Sequence, residues 1–228
     1  SQLKQMILEK KFLFGGRTLT NRATDIKGSY SNCYSSGFVK DSLDDIMKTN
    51  SELALTYKAQ GGQGLSLTKL RPKGTPVGNG KYTSDGSIPF MKLFNQTTES
   101  ISQGGSRKGA LLMSLDAWHK QIEDFITIKS DLNEINKANL SIEIDNEFMK
   151  VVENDLESNT ETTIHRKEIY GKHQVEYDII PIKIFRKLAE LSWDNGEPAP
   201  IFVDKFRNYN IMEFVDDYQI EICNPLAN

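Results

Sequence analysis

Apolar positions along the chain switch repeatedly between a helical and a strand-like period. Residues 1–14 mix apolar side chains and lysines at helical spacing and stop at Gly15 and Gly16. "SNCYSSGFV" (31–39) is short, partly aromatic or β-branched, and bounded by turn residues, so it predicts a strand. A helix over 41–59 follows, opened by Asp41 or Ser42 as cap, with Leu43, Ile46, Met47, Leu53, Leu55 and Tyr57 along a broken stripe. Leu65 and Leu67 alternate in a strand over 61–70. A helix over 88–102 carries Pro89 near its first turn. "ALLMSL" (110–115) is apolar without a break, as a buried strand should be. Residues 117–130 are amphipathic, with Trp118, Ile122, Phe125, Ile126 and Lys129 spaced for one face. A strand over 138–144, a capped helix over 145–155, a helix over 179–196 ending at Gly196 and a strand over 199–205 complete the pattern. Two stretches lack it. The loop over 71–87 holds Gly74, Gly78, Gly80 and Gly86, and loops of that length are usually functional or disordered. Residues 156–176 read as a polar surface excursion.

Strand and helix alternate through most of the chain, which predicts an α/β fold with parallel strands and buried sheet faces. There is no repeat and no clear linker. One main domain over 17–228 is expected behind an N-terminal helical segment over 1–16. The last strand falls close to the C-terminus, so the unit reads as incomplete.

Composition narrows the function classes. The chain has 228 residues, 38% hydrophobic and 26% charged, with a formal charge of -3. That balance gives no basic footprint for nucleic acid. No apolar run reaches the length of a membrane span, and the N-terminus lacks a signal-peptide layout, so neither membrane nor nucleic acid is an expected partner. The only cysteines are Cys33 and Cys223, which points to a reduced, cytoplasmic setting. From composition alone an inert buried thiol and a reactive one stand equally open.

No dinucleotide fingerprint and no phosphate-loop motif occurs. His119, His165 and His173 show no zinc-like spacing with either cysteine, so no metal site is expected. His119 reads as a surface helix residue, and Trp118 and Trp193 as core anchors. Glycine-rich turns beside Arg or Lys offer backbone N–H groups and cations together, a combination that suits phosphate. Three occur, at 61–64, 71–74 and 103–109. Each alone reads as an ordinary turn; three in one α/β chain point toward nucleotide binding.

In order, "SNCY" with "KDSLDDI", "GGQGLSLTKLRPKGTPV", "SDGSIPFMKLFNQTTESISQGGSRKGA", "IEDFITIKSDLN", "ANLSIEIDNEFMKVV" and "WDNGEPAPIFVDK" resemble the catalytic (α) chain of the ribonucleotide reductases. The resemblance runs from about residue 17 to the C-terminus. The "GEPAPIFVD" element and the offset from Cys33 to Asp41 are most similar to the adenosylcobalamin-dependent (class II) members. What this implies for the fold is an incomplete ten-stranded α/β barrel, roughly its first half. The activity it implies is conversion of ribonucleotides to deoxyribonucleotides by thiyl-radical chemistry under allosteric dNTP control. Adenosylcobalamin, or a separate radical-generating subunit, is the implied radical source, with dNTP or ATP as effectors. The implied partners are the ribonucleotide substrate, the effectors, the remainder of the catalytic chain and, because effector sites in this family often lie at a dimer interface, a second copy.

The same resemblance assigns roles. Cys33 is the first thiol of the reducing pair, and Asn32 and Gly62 line the substrate site. Gln103 and Arg107, in "SQGGSRKG", belong to the loop that joins effector to substrate base. Asp41 and Arg71 resemble the effector ribose and phosphate contacts, with Lys73 nearby. Asn224 matches the family's radical loop, Asn-Pro-Cys-Gly-Glu, but Leu226 and Asn228 stand where its cysteine and glutamate belong. Cys223 is an alternative thiol just before it. The chain alone is therefore expected not to reduce ribonucleotides: it is part of a larger enzyme, a piece of an intein-interrupted or split gene, or a degenerate copy. Two other readings stand beside this one, a non-catalytic nucleotide-binding remnant or regulator, and an unrelated α/β phosphate-binding enzyme.

Overall fold

Two short helices, α1 (Gln2–Leu8) and α2 (Gly16–Asn21), precede a parallel sheet in this computed structural model, which describes residues 2–22, 30–102, 109–130 and 134–212. The sheet strands are β1 (Cys33–Phe38), β2 (Gly62–Ser66), β5 (Ala110–Asp116), β6 (Ala138–Ile144) and β9 (Ala199–Phe202). They lie in the order β1-β2-β5-β6-β9, and every pairing is parallel. The order is monotonic. With the right-handed crossovers that α/β units adopt, it places every connecting helix on one face.

Those helices are α3 (Leu43–Lys58), α4 (Ile88–Ser102), α5 (Ile122–Thr127), α6 (Asn146–Ser158) and α7 (Pro181–Asn195). Ser42 caps α3, its Oγ accepting the Asp45 N–H at 3.1 Å, and Asp145 caps α6 through the Phe148 N–H at 2.7 Å. Gly196, at φ 75°, closes α7 in the left-handed conformation. Buried stripes recur at helical spacing: Ile46, Leu53 and Tyr57 on α3, Ile184, Leu188 and Leu191 on α7. They meet Leu65, Leu111, Met113, Leu115, Leu140, Ile142 and Ile144 from alternate positions of the strands in one core. Truncating a fully buried aromatic of this core, such as Phe125, belongs to the class of changes that cost about 3–5 kcal/mol.

Several expectations are corrected. The first helix stops at Leu8, and Lys10, with φ 59°, turns the chain away. The loop over 71–87 holds a small hairpin, β3 (Pro76–Val77) with β4 (Tyr82–Thr83). Over 117–130 only Ile122–Thr127 is α-helical, followed by one 3₁₀ turn, Ile128–Ser130. The polar surface excursion over 156–176 has regular structure: α6 runs on to Ser158, and β7 (Ile164–Tyr170) and β8 (His173–Ile179) form an antiparallel hairpin. The last strand ends at Phe202, where α8 (Val203–Asn208) begins. His119 is buried, not at the surface. Its Nε2 lies 2.9 Å from the Leu70 carbonyl and its Nδ1 accepts the Gln121 N–H at 3.1 Å, so burial among backbone partners pushes its pKa down. Trp118 is in the core as expected, but Trp193 is 90% exposed because it lies off the stripe of Ile184, Leu188 and Leu191. Among the described residues no helix is long and apolar enough to cross a membrane.

Candidate active site

Side chains alternate across a strand, and register carries that alternation from one strand to the next. Cys33 pairs with Gly62, and Gly62 with Ala110; Ser66 pairs with Ser114, Ser114 with Ser141, and Asp116 with Glu143. These residues share the face turned away from the helices. It is built of glycine, alanine, serine and acids, and Leu112, buried there, stands apart from the helix-side core. A sheet with one oily face and one small, polar face is shaped to hold something polar on the second.

The thiol sits at one edge of this face. Cys33 is a half-buried free cysteine at the first position of β1. Asn32, just before it, accepts the Gly62 N–H on its carbonyl at 2.8 Å, and its side-chain Oδ1 is buried without a hydrogen-bond partner among the described residues. The start of β5 lies next to Gly62. Gln103 and Arg107 lie outside the described residues, as do Cys223 and Asn224.

Arg17 organises this edge, and no periodic signal marks it in the sequence. It is buried, and its guanidinium donates to the carbonyls of Ser31 at 3.3 Å, Ala59 at 3.2 Å and Gln60. One cation thereby joins the entrance of β1 to the turn before β2. Gly61 finishes the turn under a close contact: a Cβ there would stand 2.8 Å from both Thr56 Cγ2 and Tyr34 Cε2. Gly61→Ala is expected to lower stability by about 1–3 kcal/mol through this overlap, read as a lower urea midpoint; an unchanged midpoint would show that the turn can yield.

The opposite edge carries charge. Asp41 follows β1 and Arg71 follows β2, and the two form a half-buried ion pair. Arg71 Nε lies 2.8 Å and 3.0 Å from the two carboxylate oxygens, its backbone N–H donates to Asp41 at 3.2 Å, and Nη1 donates to the Pro76 carbonyl at 3.3 Å. Lys73 is not part of this pair. It is exposed and lines a separate cavity of ≈ 470 Å³ with Asp85, Lys92, Asp124 and Glu134. The five residues of β2 put the two edges about 17 Å apart at 3.3 Å per residue.

Between the edges runs a buried hydrogen-bond chain. Ser114 Oγ donates to Glu143 Oε1 at 2.5 Å, Thr68 Oγ1 to Oε2 at 3.2 Å, and Ser66 Oγ to Thr68 at 2.9 Å. Burial pushes the Glu143 carboxyl above its ordinary range, against the pull of these donors. Asp116, beside it, is pushed up to about 7, first by burial and then by the fields of Glu143 and Asp145. No spacing rule flags these acids, because they meet only through strand register. Among the described residues no group of His, Cys, Asp and Glu could hold a metal ion.

A family model described as "Ribonucleotide reductase, barrel domain" matches residues 31–226. The chain belongs to this family. It is 31% identical over 229 residues to the vitamin B12-dependent ribonucleoside-diphosphate reductase of Thermoplasma acidophilum, a match that covers 99% of this chain and 28% of that protein. The large subunit of the vaccinia virus ribonucleoside-diphosphate reductase is 31% identical over 155 residues, covering 66% of this chain and 20% of the viral one. Among solved structures, the Actinobacillus ureae class Id ribonucleotide reductase alpha subunit superposes with a TM-score of 0.66 at 19% identity, over 92% of this chain and 34% of that one. That likeness shows the fold: the five-stranded sheet and its helices are part of a reductase barrel. The chain spans less than a third of the length of the B12-dependent relatives it matches.

Proposed function

We propose that the chain is part of a ribonucleotide reductase catalytic subunit and supplies one reducing thiol, Cys33, to a substrate held on the polar face of the sheet. The observation that carries this is the placement of a free, half-buried thiol on that face, in register with Gly62. Two thiols that close into one S–S bond release two electrons and two protons; the 2′ C–O bond of the ribose breaks, its oxygen leaves as water, and a C–H bond forms in its place. Cys33 is one donor, and the second belongs to the remainder of the catalytic chain. Asn32 and Gly62 flank the thiol. The names of the relatives support ribonucleoside diphosphates as the substrate class.

Asp41 and Arg71 are the proposed effector contacts, with Lys73 on the neighbouring surface and Gln103 and Arg107 carrying the response to the substrate side. Effector and substrate ends share β1 and β2, so a ligand that moves one end biases the other. Exposed Leu43 and Met47, one turn apart on α3, support docking of a second copy. A free thiol beside the substrate supports a reduced, cytoplasmic setting. The B12 dependence of the relatives makes adenosylcobalamin the proposed source of the radical.

In the enzyme completed with the rest of the catalytic chain, Cys33→Ser is expected to lower deoxyribonucleotide formation at least about 10³-fold while dNTP binding persists. Undiminished turnover would remove Cys33 from the chemistry. A second reading, a nucleotide-binding remnant or regulator, is favoured by Leu226, which stands where the radical cysteine belongs. It predicts dNTP binding with no turnover from either form.

A further inference from the structure

A separate cavity lies beneath the β7–β8 hairpin, at the carboxyl ends of β2 and β5. It measures ≈ 290 Å³, and its walls include Asp116, Trp118, Arg166, Glu168, Tyr170 and Tyr177. That is room for about ten groups the size of water at ~30 Å³ each.

Most polar groups around it are committed. Arg166 lies over the Trp118 ring at 4.8 Å and donates to Glu168 at 3.3 Å. Lys69 places its Nζ over the Phe38 ring at 5.1 Å. The Tyr177 hydroxyl donates to the Trp118 carbonyl at 2.9 Å, and both ring nitrogens of His119 have backbone partners. The Tyr170 hydroxyl and the second oxygen of Glu168 have no hydrogen-bond partner among the described residues, and neither does part of Asp116. The Asp116 Oδ1 accepts the Trp118 N–H at 2.8 Å, while its other oxygen has no hydrogen-bond partner among the described residues. Glu143 and Asp145 act on it as like charges and Arg166 as an opposite one, Glu168 lines the same cavity, and Asp41 acts on Tyr170 from the neighbouring edge.

The walls carry two acids, Asp116 and Glu168, and two cations, Lys69 and Arg166; both cations already rest on aromatic rings, so the unpartnered Asp116 oxygen and the tyrosine faces select the occupant. A phosphate or carboxylate would gain a free cation only by drawing Lys69 or Arg166 off its ring and would meet Asp116 and Glu168, and an apolar ligand would leave Asp116 without a donor. An ammonium group gives Asp116 its hydrogen bonds, and aromatic faces attract cations. We propose that this cavity binds a small organic ammonium, its N–H groups on the free oxygen of Asp116 and its carbon skeleton against Tyr170 and Tyr177.

The test uses the full 228-residue chain, labelled with nitrogen-15, at pH 7.5. Benzylammonium and n-butylammonium chloride are the probes, with sodium butyrate and sodium chloride at matched ionic strength as controls. Saturable shifts of the Asp116–His119 amides and the Trp118 indole are expected with the ammonium probes alone. Asp116→Asn keeps an acceptor for the Trp118 N–H and is expected to weaken binding about tenfold or more; Tyr170→Leu should weaken it too. Equal shifts with butyrate, no saturable shift with either ammonium, or undiminished binding by Asp116→Asn would each overturn the proposal.

Discussion

Glu197→Ala is expected to cost about 1–3 kcal/mol of stability, below the range for breaking a fully buried ion pair from one side because the Glu197 side chain is 26% exposed. Lys129 is only 9% exposed, and its Nζ lies 2.5 Å from Glu197 Oε2. The same oxygen accepts the Leu140 N–H at 3.1 Å, just ahead of the residues where β6 pairs with β9. Alanine would leave a cation and a strand N–H without partners at the point where the last strand joins the sheet. For a domain with a total stability of roughly 5–15 kcal/mol, that is a large share. Urea unfolding of the single variant, beside Lys129→Met with Glu197→Gln, separates the causes. The double variant should recover part of the loss because no uncompensated charge remains. A single-variant loss under about 1 kcal/mol would mean that water reaches Lys129.

Lys129 also shows how much of the fold the sequence makes legible. Spacing alone puts it on the same face as Trp118, Ile122, Phe125 and Ile126, and all five are buried. Why a lysine belongs there is not legible, because its partner is 68 positions away (197 − 129) and approaches only when β9 docks. The alternation of strands and helices was readable from periodicity, and so were the boundaries at Asp145 and Gly196 and, to within Asp41 or Ser42, the start of α3. The β7–β8 hairpin was not, because its outward positions are mostly polar or charged, Lys167, Glu176 and Asp178 among them, and its inward ones only partly apolar. A usable signal was present: Tyr170 pairs with His173 across the two-residue turn Gly171–Lys172, with Gly171 at φ 61°.

The site divides in the same way. Cys33, Asn32 and Gly62 are contiguous with recognisable motifs, and the structure gathers them at one strand edge; Asp41 and Arg71 meet at the other. Arg17 was invisible, because a lone arginine before a polar stretch says nothing of three carbonyls at 31, 59 and 60. The polar sheet face was half legible. "ANLSIEI" alternates openly, whereas "ALLMSLD" reads as one apolar run that hides Ser114 and Asp116 on the face opposite to Leu111, Met113 and Leu115.

Asp116→Asn is expected to stabilise the chain at neutral pH, the reverse of what loss of a buried charged group usually does. The folded chain holds the Asp116 carboxyl at about 7, through burial first and then the nearby Glu143 and Asp145, against an ordinary value of 3.8. Between those two values the folded state keeps a proton that the unfolded state has lost. Stability therefore falls as pH rises from about 4 to about 7, and is level above that. The expected size is roughly 2–4 kcal/mol at pH 7.5, from 1.36 kcal/mol for each unit of difference, reduced because Asp116 opens on the cavity. Asparagine has nearly the same shape, keeps an acceptor for the Trp118 N–H and carries no charge at any pH. The two forms should have similar stability near pH 4 and diverge steadily toward pH 7, with the variant the more stable. Urea midpoints measured across that range decide the matter. Parallel curves would place the Asp116 carboxyl in ordinary contact with water, and a less stable variant at pH 7.5 would mean that the ionised carboxylate is held by a partner. If the ammonium probes raise the stability of the wild-type chain toward that of Asp116→Asn as pH increases, the cavity's occupant and the carboxyl's missing counter-charge are the same thing.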